Sequence, residues 1–238
     1  MFLQKPPAIG EQALNKIATV ALQSQFQQAK TFHVQVKTDP NLLAQGRLEA
    51  LSMEGTGLVL PNHLPVQEMQ IKMGRIGVSP FKALMGNIQL TEPSHGTARF
   101  SLTDAQVRTA FQEQLSVRLR KATDVDLKTL KTQQIDCYIF ARGEIVVNFQ
   151  FKGQHFAIAS RLHKAQIEGG ISLESIRYLQ GSEPTPALTQ IIINSLEAAL
   201  NVQQFELPGL SLKLRQFQIE DGKIILQATA KMTEFPKN

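Results

Sequence analysis

KLRQFQIEDGKIIL, residues Lys213–Leu226, is the stretch whose reading decides the fold. Asp221-Gly222 is a dipeptide suited to the positive φ angles of a two-residue type I′ turn, and apolar residues alternate on both sides of it. Folding there sets Glu220 opposite Lys223, Ile219 opposite Ile224 and Phe217 opposite Leu226, one ion pair and two apolar pairs. RLEALSMEGTGLVL, Arg47–Leu60, has the same grammar. A turn at Gly55-Thr56 would pair Met53 with Leu58 and Leu51 with Leu60. In both stretches the apolar parity slips by one residue, between Leu214 and Phe217 and between Leu48 and Leu51. A matched slip predicts a bulge near Arg215-Gln216 and its counterpart, bending two hairpins alike.

Around these hairpins the period changes repeatedly. Ile9–Lys30 reads as a helix whose apolar residues cover more than one stripe, with Ile17 and Val20 among them. Phe32, Val34 and Val36 alternate as a strand, Asp39-Pro40-Asn41 reads as a turn, and Met69, Ile71 and Met73 as another strand. SPFKALMGNIQL (Ser79–Leu90) is a helical or turn-like connection, and Glu92–Gly96 a loop. Thr103 opens a second helix as its cap, with Gln106 completing a capping box and Leu102 and Val107 the hydrophobic staple. That helix buries Val107, Ala110, Phe111, Leu115 and Leu119 and ends near Ala122. Gln133–Arg177 is a meander with turns at Arg142-Gly143, Lys152-Gly153 and Glu168–Gly170. A third, nearly uncharged helix starts near Ala187 and carries Ile192 and Leu196. The expected class is α+β: long curved antiparallel sheets wrapped around apolar helices. One domain over 1–238 is expected, with helix-plus-bent-hairpin pseudo-repeats near 9–78 and 186–233 flanking a central helix and meander at 98–179.

Composition narrows the functional classes. Of 238 residues 42% are apolar and 19% charged, which belongs to a folded chain rather than a disordered one. The net charge of +5 is compatible with an anionic membrane or with nucleic acid. Nucleic-acid binding is disfavoured, because the chain has no Trp and two Tyr, and most Phe fall in apolar alternation. MFLQKPPAIG has no apolar h-region, so the expected location is cytoplasmic, or peripheral on the cytoplasmic face of a membrane.

Catalytic signatures are missing, as are phosphate-cradling loops and zinc-protease motifs, so no catalytic residue, metal or cofactor is assigned. His33, His63, His95, His155 and His163 share no ligand spacing. Cys137, between Ile135 and Ile139, reads as core. Asp124 and Asp126 form an isolated pair in a polar segment. Arg118, Arg120 and Lys121 lead a basic cluster with Lys128 and Lys131. These charges either complement a helix C-terminus or meet an anionic surface.

The apolar first helix, the Gly-turn hairpins, SPFKALMGNIQL leading to ARFSLTDAQVRTAF (Ala98–Phe111) and the closing FQIEDGKIILQA together resemble the LmeA-like phospholipid-binding family. The resemblance spans about Ala8 to Ala230. It implies a tubular lipid-binding fold of the bactericidal/permeability-increasing type, in which a curved sheet wraps a helix and leaves room for acyl chains. Phospholipid and an anionic membrane surface are the implied partners, in a non-enzymatic role. Ile17, Val20, Ile192 and Leu196 on the helices and Ile139, Phe149 and Phe151 on the sheet are the groove residues nominated, each also readable as ordinary core. Arg118, Arg120 and Lys121 are nominated for the headgroup or bilayer. The competing class is a structural or adaptor protein whose curved sheet binds another protein.

Overall fold

The computed structural model describes residues 9–79, 90–122, 135–151, 153–165, 170–181, 183–220 and 222–235. The chain is α+β and its long strands form antiparallel sheets, as the alternation predicts. Helix α1 (Ile9–Gln23) precedes β1 (Thr31–Lys37), a short α2 (Pro40–Ala44), β2 (Arg47–Leu48), β3 (Ala50–Val59), β4 (Pro65–Met73), β5 (Ile76–Gly77) and β6 (Ser94–Thr103). Helix α3 (Asp104–Ala122) leads to a meander of β7 (Ile135–Phe140), β8 (Glu144–Phe151), β9 (Gln154–Lys164) and β10 (Ile171–Gly181). Helix α4 (Pro186–Ala199), a 3-10 turn at Val202–Phe205, β11 (Leu210–Glu220) and β12 (Lys223–Met232) close the chain.

Two compact units emerge: 1–100 with 206–212 and 227–238, and 101–205 with 213–226. A six-stranded sheet has the order β1-β3-β4-β6-β12-β11, and the meander forms a four-stranded sheet, β10-β9-β8-β7. In the first unit Phe32, Val34 and Val36 of β1, Leu51 and Met53 of β3, and Met69, Ile71 and Met73 of β4 are buried. They pair with one another across the strands, while the residues between them along each strand are exposed or half-buried, which is what a sheet with one wet face requires. Phe26 and Phe32 meet at 5.0 Å between ring centroids.

In the second unit α3 packs on α4 and β7, and α4 on β10. Val107, Ala110, Phe111, Leu115 and Leu119 are all buried. The Gln106 half of the capping box forms: its Oε1 accepts from the Thr103 backbone N–H at 2.8 Å and from the Thr103 hydroxyl at 3.0 Å. Gly143 and Gly153 take positive φ at meander turns. Cys137 is buried, and burial, with Asp104 nearby, pushes its thiol up to about 12. It is a core side chain without nucleophilic character at neutral pH.

Several expected elements differ. The Asp221-Gly222 hairpin is present: β11 and β12 are neighbours and Gly222 has φ 72°, while Asp221 lies outside the described residues. Burial along β11 alternates, then leaves Arg215 and Gln216 both exposed, so the parity slip lies within one continuous strand. The hairpin at Gly55-Thr56 does not exist. β3 runs straight through both residues, pairing Gly55 with Phe32 on one side and Met69 on the other. Its register to β4 is the same on both sides of Gly57, from Leu51↔Met73 to Thr56↔Glu68 and from Leu58↔Val66 to Val59↔Pro65, with Gly57 itself unpaired there at φ 56°. The slip after Leu48 is a strand break at Glu49, where β2 leaves to pair with β5. A bent hairpin therefore does not recur.

Helix α1 stops at Gln23, seven residues before Lys30, because the following backbone turns to strand partners. Gln27 N–H donates to Val59 O, and Val59 N–H to Gln28 O. Asp39 is the N-cap of α2 rather than a turn residue, its carboxylate accepting from the backbone N–H groups of Asn41 and Leu42. Ser94–Gly96, expected in a loop, already belongs to β6. Residues 80–89 of the SPFKALMGNIQL segment, and 123–134 with Asp124, Asp126, Lys128 and Lys131, lie outside the described residues.

Candidate functional site

Helix α1 presents its face by a specific arrangement. β1 is an edge strand, whose outward backbone N–H groups need acceptors. Asn15 Oδ1 accepts from Val36 N–H at 2.6 Å and Thr19 Oγ1 from Val34 N–H at 3.3 Å. Four helical residues rise about 6 Å and two strand residues about 6.6 Å, so an i, i+4 pair matches alternate residues of a strand. With Asn15 and Thr19 aimed at β1, and Ala18 and Leu22 buried on the same side, Ile17 and Val20 face outward. They are 53% and 61% exposed. Covering what remains exposed would contribute about half of the ~1.5–3 kcal/mol that full burial of such a side chain is worth.

The other nominated apolar residues belong to the second unit. Ile139, Phe149, Ile192 and Leu196 are buried there. Phe149 pairs with Phe156 across β8 and β9, the rings stacked at 5.2 Å. Phe151 ends β8, and its side chain falls outside the described residues. Ile139 is held at its backbone, its N–H donating to Asp104 Oδ1 at 3.2 Å and tying β7 to the first turn of α3. Burial raises the Asp104 carboxyl pKa, partly offset by that hydrogen bond and by Arg108.

Of the basic residues, Arg120 and Lys121 are exposed in the last turn of α3, where a helix favours cations. Arg118 differs. It lines an open pocket of about 380 Å³ with Ser172, Asn194, Glu197 and Asn201, and with Ala165 and Gly170 at its border. Its Nε is buried and has no hydrogen-bond partner. Glu197 accepts from Leu173 N–H at 3.0 Å. Asn194 Oδ1 accepts from Gln190, and Asn201 Oδ1 from the Gln203 backbone N–H. Asn194, Glu197 and Asn201 were not singled out in the sequence. The legible signal is their spacing of three and four, which would place them on one side of a helix continued to Asn201.

Two further pockets lie in the first unit. One of about 630 Å³ is bordered by Asp39, Arg47, Glu49, Arg75 and Glu92, and one of about 280 Å³ by His33, Glu54, Glu68 and Arg99. Both are lined largely by charged and polar side chains. Among the described residues no three His, Cys, Asp or Glu are grouped to hold a metal ion, and no helix is long and apolar enough to cross a membrane. The five histidines are all exposed. Beside β8, Glu144 is bracketed by Arg142 and Arg177, and the Arg142 hydrogen bond above all holds its carboxyl below the usual range.

No curated protein and no solved structure matches the chain. A family model described as LmeA-like phospholipid-binding matches residues 8–229, across both units and nearly every element described above. The chain therefore belongs to the LmeA-like phospholipid-binding family.

Proposed function

We propose that this protein binds phospholipid without transforming it, holding acyl chains against apolar side chains at the surface of a membrane. The observation that carries the reading is the outward apolar face of α1, at Ile17 and Val20, in a chain of a phospholipid-binding family. Each acyl CH₂ taken from water contributes ~0.8 kcal/mol, so even a short contact with such a face is worth several kcal/mol. Arg120 and Lys121 supply attraction to anionic lipid, about 1 kcal/mol per basic residue close to the surface. The buried set Ile139, Phe149, Ile192 and Leu196 would line acyl chains where helix and sheet layers part to admit them. Chemistry on the lipid needs a nucleophile or a paired acid and base. In this reading Cys137 is too basic and too buried for the first role, and Glu144 is committed to two arginines.

Native mass spectrometry of the purified protein, with solvent extraction of the same sample, tests this. Phospholipid masses carried by the folded protein and recovered in the extract are expected. Protein free of lipid in both measurements, and unable to acquire it from liposomes, would contradict the reading and favour a protein-binding role.

A further inference from the structure

The pocket at Arg118 has a charge pattern that points to a particular headgroup. Arg118 comes from α3, Asn194 and Glu197 from α4, and Asn201 lies just beyond the end of α4. Among the described residues the buried Nε of Arg118 has no hydrogen-bond partner, and its guanidinium makes no salt bridge. An Nε–H in that state lacks the acceptor that a buried polar group normally has. Each asparagine oxygen already accepts one hydrogen bond, from the Gln190 side chain and from Gln203 N–H, while no bond donated by either NH₂ occurs among the described residues, so the amide N–H groups are the donors they bring to the pocket. Arginine and two donor amides suit an acceptor-only group, and phosphate is the common biological one.

Glu197 argues against a bare anion. It lines the same pocket, and its bond to Leu173 N–H engages Oε1. The C-terminal end of α4 adds partial negative charge beside it. One cation and one carboxylate within about 380 Å³ match a ligand that carries both charges itself. We infer that this pocket takes a zwitterionic phosphodiester headgroup, its phosphate on Arg118, Asn194 and Asn201 and its ammonium toward Glu197. The inference rests on the phospholipid reading above and narrows it to the phosphoethanolamine class. The same chemistry occurs in a soluble glycerophosphodiester, so the test separates lipid from free headgroup.

The full chain is titrated, by calorimetry, with dihexanoyl phosphatidylethanolamine, dihexanoyl phosphatidylglycerol, glycerophosphoethanolamine and inorganic phosphate. The expected order is phosphatidylethanolamine tightest, with both chain-free probes weaker. Arg118→Gln is expected to weaken both lipids about tenfold or more, the size of a lost charge-assisted hydrogen bond. Glu197→Gln retains an oxygen for Leu173 N–H and is expected to remove or reverse the preference over phosphatidylglycerol. Arg118→Lys, which keeps the charge, is expected to restore part of the loss, and unchanged circular dichroism shows that the variants fold. Lipid binding that both neutral variants leave intact would overturn the headgroup site while sparing the phospholipid reading. Glycerophosphoethanolamine or phosphate bound as tightly as lipid would overturn the lipid source. No binding of either lipid by the wild type would overturn both readings.

Discussion

At Phe149 two roles compete for one side chain. It is 1% exposed and stacked on Phe156, which makes it core in the structure as it stands, yet it is also a nominated contact for acyl chains. Core packing predicts that Phe149→Ala costs ~3–5 kcal/mol in chemical denaturation. If Phe149 also meets lipid, bound phospholipid will raise the stability of the wild type more than that of the variant. Glu144 gives a pH prediction. Its folded pKa lies below the usual 4.5, so its contribution is present above that value and is lost as pH falls through the lower folded pKa. Melting temperatures of wild type and Glu144→Gln should differ near neutrality and converge on acidification. A difference that is constant with pH would mean that the arginines do not stabilise the charged carboxylate. In sequence Glu144 is one acid beside a turn, and Arg177 is 33 residues away. No local pattern announces that pair.

The elements show which sequence signals translate into structure. Asp221-Gly222 and Gly55-Thr56 look alike on paper, and only the first is a turn. Gly222 is needed for its φ of 72° and meets nothing within 4 Å where a Cβ would stand. Gly55 is crowded: a Cβ there would come within 2.9 Å of Leu58 Cδ2 on the same strand and 3.0 Å of Phe32 Cδ2 on the paired strand β1. The residue type is the same, but the second requirement comes from strand pairing, which a linear reading does not contain. Helix α1 shows the reverse case. Its apolar periodicity is evident, whereas the use of Asn15 and Thr19 as acceptors for an edge strand depends on β1 lying beside it. Removing both acceptors, Asn15→Ala with Thr19→Ala, should cost about 1–3 kcal/mol for two hydrogen bonds. It should also speed amide exchange at Val34 and Val36 specifically. Exchange at those two amides as slow as in the wild type would show that α1 is not what protects the edge.

For the molecule as a whole, the α+β class and the four-stranded meander follow from period changes and turn residues alone. The repeat does not, because its second member rested on a glycine with another purpose. The proposed phospholipid site divides the same way. Arg118 is visible in sequence as part of a basic cluster, but its role as the unpaired cation of a pocket needs α4 and the β9–β10 end to be brought to it. Ile17 and Val20 are visible as an excess of apolar surface, and the structure leaves them exposed. Because they are surface residues, Ile17→Ser with Val20→Ser should change stability by no more than about 0.5 kcal/mol per site. Function should respond much more. The most direct measurement is transfer of a fluorescent phospholipid from donor to acceptor liposomes, by the wild type and by this double variant. Phospholipid binding at a membrane surface predicts transfer proportional to wild-type protein and strongly reduced by the double substitution. No transfer above the spontaneous rate, or equal transfer by the variant at equal stability, would contradict it.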